Sequence, residues 1–102
     1  MSNYHEPVEE LNDHARDISR ALVSLKEEIE AIDWYNQRMV TSKNEDLKQI
    51  LEHNRDEEIE HACKAIEWLR KNMPVWDETL REELFKDEQD SKNSSLEIGK
   101  IK

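Results

Sequence analysis

The sequence predicts an all-α fold: an antiparallel two-helix hairpin with a short third helix, built to pair with a second copy into a four-helix bundle. Three observations predict it. Helix breakers are scarce, with one Gly and two Pro in 102 residues, and these residues cost about 1 and about 3 kcal/mol in a helix interior. Apolar residues recur in alternating steps of three and four, which is helical periodicity. Only 35% of residues are hydrophobic and 39% are charged. That is a thin core for a compact monomer, and it suits long helices that bury their seams against a partner.

The chain divides at residue 87. Residues 1–87 read as one helical domain, and 88–102 as a flexible linker with a C-terminal peptide. Residues 1–6 read as frayed. Pro7 suits the first turn of a helix, where its missing N–H costs nothing. From there Val8, Leu11, Ala15, Ile18, Leu22, Leu25, Ile29 and Ile32 form a heptad seam. Residues 8–40 contain neither Gly nor Pro, so one helix of about 30 residues and about 45–50 Å is expected. Glu28 flanks this seam beside Ile29. Ala21, Glu28 and Tyr35 share a stripe, each one heptad apart.

Residues 41–44, Thr-Ser-Lys-Asn, form a turn. Ser42 or Asn44 can cap the next helix, with Glu45 and Asp46 well placed in its first turn. So short a connection makes the two helices antiparallel neighbours. The second helix is expected over residues 45–72. Its seam reads Leu47, Leu51, Asn54, Glu58, His61, Ala65 and Trp68, with three consecutive polar positions. A second apolar row, Ile59, Ala62, Ile66, Leu69 and Met73, lies beside it. Pro74 ends this helix or starts the next. Val75, Trp76, Leu80, Leu84 and Phe85 predict a third helix to about residue 86. Beyond it, residues 86–95 are polar and too poor in apolar groups to pack.

The polar block of the second helix carries the chemistry. Glu58 and His61 form a Glu-x-x-His pair, which puts a carboxylate and an imidazole on one helix face. Bundles that bind two irons use two such helices and two more that each give a lone Glu. Glu28 supplies one lone Glu, so this chain holds half of a di-iron site and a second copy must supply the rest. Glu28 and Glu58 are each 15 residues from the turn centre at residue 43. An antiparallel hairpin therefore sets them at one height. Carboxylate oxygens plus one imidazole suit iron, with manganese or zinc as competitors. The other reading is an Asn/Glu/His block that only fixes coiled-coil register. Tyr35 lies about 10 Å along the helix from Glu28, where it can orient a ligand, donate an electron or simply pack. Trp34, Trp68 and Trp76 are read as core. His53, with Glu27, Glu30 and Glu57, forms a second acidic patch on another face, read as solvated charge. His5 and His14 carry no functional reading.

Composition narrows the function class. The net charge is −10, which argues against a nucleic-acid partner. One Cys excludes an intramolecular disulfide framework, and Cys63 is read as a small buried hydrophobe. No signal peptide and no membrane-spanning apolar run are visible, so a cytoplasmic protein is expected.

Specific words in the sequence resemble the encapsulated ferritins. They are Glu27-Glu28-Ile29-Glu30-Ala31-Ile32-Asp33-Trp34-Tyr35, then His53-Asn54-Arg55-Asp56-Glu57-Glu58-Ile59-Glu60-His61-Ala62, then Glu67-Trp68-Leu69-Arg70. The similarity covers about residues 5–85. It implies hairpins that dimerise into a ferritin-like four-helix bundle, with a di-iron ferroxidase centre at the dimer interface and a homodecameric ring of five dimers. By this resemblance the iron ligands are Glu28, Glu58 and His61 from each subunit, and Tyr35 and Trp34 are the aromatic pair near the site. Glu27 and Glu30 match secondary metal positions, open to a divalent cation such as Ca²⁺, and His53 matches an entry-side histidine. Residues 95–102 are similar to the peptide that docks such cargo inside an encapsulin shell, departing at Glu97, where a small residue is more usual. The expected function is a ferroxidase that loads iron inside an encapsulin nanocompartment. The alternatives are a metal buffer without turnover and a structural coiled-coil adaptor.

Overall fold

The computed structural model of the protein describes residues 4–87. The expected linker and terminal peptide lie outside them. The described chain is all helical, with α1 over Asp13–Thr41, α2 over Glu45–Asn72 and α3 over Pro74–Glu83. The first two helices form the antiparallel hairpin, and α3 packs back on α2.

The first helix starts later than its seam predicts. Val8–Glu10 is a single 3₁₀ turn, and Leu11 is extended. Asn12 then caps α1 by accepting the Ala15 N–H at 2.8 Å. An Asn side chain that satisfies an orphan N–H competes with helix continuation at its own position. Arg16 Nη2 donates to the Val8 carbonyl at 2.7 Å and ties the short turn to α1. At the other end, Asn44 caps α2 by accepting the Leu47 N–H at 2.9 Å. Three residues, 42–44, therefore connect the helices. Pro74 opens α3, as its fixed φ favours.

The third helix stops at Glu83, short of the expected residue 86. The Leu84 N–H closes on the Leu80 carbonyl, and Phe85 takes a left-handed φ of 57°. That conformation ends a helix and ordinarily selects Gly. Here it leaves the Phe85 ring 99% exposed. Arg70 fixes the angle between α2 and α3. It donates to both oxygens of Glu67, at 2.7 and 2.9 Å, and to Asp77 Oδ1 at 2.7 Å. Arg81 Nε also donates to Asp77, at 3.0 Å to Oδ1 and 3.1 Å to Oδ2. Hydrogen bonds from Arg70 and Arg81 hold the Asp77 carboxyl below its ordinary range.

The core is thin, as the composition requires. Leu25, Ala62 and Leu69 are buried, with Ala21, Ile32, Ala65, Ile66, Trp68, Met73 and Trp76 packed around them. The single heptad seam expected on α1 splits into two stripes. Ala21, Leu25, Glu28 and Ile32 face α2, whereas Leu22 and Ile29 lie one residue off that line and remain exposed. One residue is a rotation of about 100° on a helix, enough to turn a side chain out of a two-helix contact. Trp34 is exposed rather than core for the same reason. Cys63 is also exposed, beside Ile66, Leu80 and Phe85 in the groove between α2 and α3. Its position on the α3 side of α2 keeps it out of the hairpin core.

Candidate metal centre

Glu28 comes from the middle of α1, and Glu58 and His61 come from the middle of α2. The antiparallel register brings them level. His61 Nδ1 lies 3.6 Å from Glu28 Oε2 and 3.4 Å from Glu58 Oε1. One donor atom from each residue falls within 4.8 Å of the other two. Among the described residues, this is the group of three carboxylate and imidazole donors that meets so closely. The two carboxylates are about three-quarters covered, and His61 is half open to solvent.

The site is electrostatically strained. A proton shared with Glu58, a bond that exists only when one carboxyl is protonated, raises the Glu28 pKa. Partial burial and the negative charge of Glu58 push it the same way, and His61 opposes them. Two carboxylates thus meet across the helix pair, where a divalent cation would offset their mutual repulsion. Two hard oxygen donors and one imidazole fit a divalent first-row metal. The half-open imidazole and the exposed Ile29 and Ile59, next in sequence to Glu28 and Glu58, leave this face uncovered within one chain.

The remaining candidate residues lie apart from this trio. Tyr35 is half-buried, and its ring sits under the Arg38 guanidinium, 5.4 Å from the centroid. Glu27, Glu30 and Trp34 share a shallow hollow of about 380 Å³ with Val23 and Lys26. His53 pairs with Glu57 instead, Nε2 to Oε1 at 3.2 Å. The acidic patch expected from sequence is therefore two groups. The other oxygen of Glu57 faces His61 Nε2 at 4.0 Å, a link the solvated-charge reading passed over. Its signal is the spacing 53, 57, 61, two successive i, i+4 steps.

A family model described as EncFtn-like matches residues 3–87. The chain belongs to the EncFtn-like family. Relatives of this EncFtn-like chain include a protein of Thermotoga maritima named Ferritin-like protein. It is 66% identical over 84 residues, 82% of this chain and 74% of that one. A Rhodospirillum rubrum protein named Encapsulated ferritin-like protein is 52% identical over 81 residues, 79% of this chain. The match spans 58% of that protein's length. The crystal structure of a Nitrosomonas europaea protein superposes with a TM-score of 0.80 at 50% identity, covering 84% of this chain and 94% of that one. The all-helical hairpin is thus shared with a solved structure. No helix among the described residues is long and apolar enough to cross a membrane.

Proposed function

We propose that the protein is a ferroxidase that oxidises Fe²⁺ with O₂ at a centre made by two copies of this chain. The observation that carries this reading is the meeting of Glu28, Glu58 and His61 within 4.8 Å on a face left uncovered. Each copy supplies two carboxylates and one imidazole. Two copies related by a two-fold axis supply four and two, the donor set of di-iron carboxylate bundles. The exposed Ile29 and Ile59, next to Glu28 and Glu58, with Leu22 one heptad before Ile29, give that contact its apolar area, and the assembled unit is a ferritin-like four-helix bundle.

In this reading Fe²⁺ is the substrate. The carboxylates neutralise the incoming cations and favour the more highly charged ferric product, so each iron gives up its electron to O₂ more readily. Glu28 and Glu58 face the cation from opposite helices, and its charge offsets the repulsion between them. Tyr35 stands along the same helix as a one-electron donor. The hollow holding Glu27 and Glu30, and the His53 imidazole, are approach positions for further divalent cations such as Ca²⁺ or incoming iron. Residues 1–87 form the catalytic helical domain. Residues 88–102 tether it to an encapsulin shell inside which ferric mineral collects, and the dimers close into a decameric ring. The relative named as encapsulated, at 52% identity, supports the shell assignment.

The test is O₂ consumption on anaerobic addition of Fe²⁺ followed by air. Wild-type protein takes up O₂ in proportion to iron, while Glu58→Ala and His61→Ala, each of which removes two ligands per centre, lose most of that uptake. Unchanged uptake by purified Glu58→Ala protein refutes the proposed centre.

A further inference from the structure

We infer that Glu57 positions His61 for metal binding, its carboxylate holding the Nε2 edge of the imidazole so that Nδ1 stays turned toward Glu28 and Glu58. The inference rests on the metal centre proposed above and goes beyond its three ligands. The two ring nitrogens of His61 face different carboxylates. Nδ1 lies 3.4–3.6 Å from Glu58 and Glu28, and Nε2 lies 4.0 Å from Glu57 Oε2. A cation held by Glu28, Glu58 and Nδ1 leaves Nε2 as an N–H donor, since a neutral imidazole carries one proton. A carboxylate is the usual acceptor for that second N–H, and it fixes both the tautomer and the ring orientation.

Glu57 is itself held for this task. Its other oxygen, Oε1, pairs with His53 Nε2 at 3.2 Å. Residues 53, 57 and 61 therefore make one column of imidazole, carboxylate and imidazole along α2. The orienting group matters here because the His61 side chain is 45% exposed. No packing wall on the solvent side stops the ring from turning, so a polar partner must do so. The 4.0 Å contact is an ion-pair distance rather than a hydrogen bond, and hydrogen bonds at functional sites are often long before the ligand is bound. Glu57 is not a fourth ligand of the same ion, because it approaches the imidazole from the edge opposite Glu28 and Glu58.

The experiment uses the full chain, with Zn²⁺ as a diamagnetic probe. Affinity is measured by competition with a chelator, and 15N-histidine spectra report which nitrogen of His61 is metallated. Wild-type protein is expected to show Zn²⁺ on Nδ1 and a retained Nε2–H. Glu57→Ala is expected to lose about 10–100-fold in affinity and to show Zn²⁺ divided between Nδ1 and Nε2, with helicity by circular dichroism unchanged. Glu57→Gln, which still accepts a hydrogen bond but without the charge, should fall between them. Metallation of Nε2 in the wild type, or an affinity of Glu57→Ala within two-fold of wild type, overturns the inference. The centre itself is judged on Glu58→Ala. If that variant binds Zn²⁺ as tightly as wild type, the centre and this inference fall together. If it loses affinity while Glu57→Ala does not, only the positioning role falls.

Discussion

Glu28→Gln separates the cost of the carboxylate pair from its use. Donor atoms of Glu28 and Glu58 lie within 4.8 Å. Two unit charges at that separation repel by about 0.9 kcal/mol at the dielectric constant of water, and by about 3.5 kcal/mol at an effective value of about 20. Both side chains keep about a quarter of their exposure and His61 offsets part of the repulsion, so the lower figure governs. Metal-stripped Glu28→Gln should be more stable than wild type by about 1 kcal/mol at neutral pH, because the amide removes the charge and still donates to Glu58. For a domain of this size that raises the melting temperature by about 4–8 °C. The sign follows from the raised Glu28 pKa. A raised carboxyl pKa means the folded state favours the protonated form, so its stabilising effect is full below the ordinary glutamate value. It is lost as pH rises through the folded value. The advantage of Glu28→Gln should therefore shrink as pH falls through that window, where wild type gains its own proton. Thermal unfolding followed by circular dichroism, with chelator present and protein concentration fixed, measures it. Added Zn²⁺ should then reverse the order, stabilising wild type and not the variant. A metal-free variant that melts at or below wild type at neutral pH refutes the account of a strained pair.

Further outcomes follow from the same structure. Leu69 is fully buried in a core of three, so Leu69→Ala should cost about 2–5 kcal/mol, read as a shift in the urea midpoint at constant slope. Because ligands that bind only the assembled state pull assembly forward, Fe²⁺ under anaerobic conditions should raise the mean mass in analytical ultracentrifugation. A monomer carrying iron at full stoichiometry contradicts a shared centre. Deleting residues 95–102 should leave Fe²⁺ oxidation intact and abolish co-purification with a co-expressed encapsulin shell. Packaging at the full level would remove the tail as the address.

Much of the site was legible because it rests on spacing alone. The distance of Glu28 and Glu58 from residue 43 set their heights, and the i, i+3 step set Glu58 beside His61. Where the sequence misled, rotation about a helix axis was the cause. Leu22, Leu25 and Ile29 all fit a heptad, but a two-helix contact is too narrow to bury all three. Only packing decides that Leu25 turns inward and that Leu22 and Ile29 do not. Helix ends were ambiguous for a different reason. Asn12 acts through a side-chain cap and Phe85 through its left-handed backbone, and neighbouring apolar residues carry no trace of either. Glu57 was hidden in a run of acids. The 53, 57, 61 spacing is its one signal, and which ring nitrogen of His61 it faces is settled only by the fold.

The three-residue connection between α1 and α2 acts as a ruler. Together with the helical residues on either side of it, it sets how far Glu28 and Glu58 stand from the same origin. Adding one residue to it offers the hairpin two choices, to bulge locally or to slide one helix along the other by about 1.5 Å. A slide of that size carries every donor on one helix out of step with the other and rotates it by about 100° if the added residue extends a helix. Length added beyond Asn12 or beyond Glu83 has no such leverage, because those ends lie past the donors as counted from the turn. Lineages that lengthen or trim this protein should therefore vary at its far ends and hold the count between residues 28 and 58 constant.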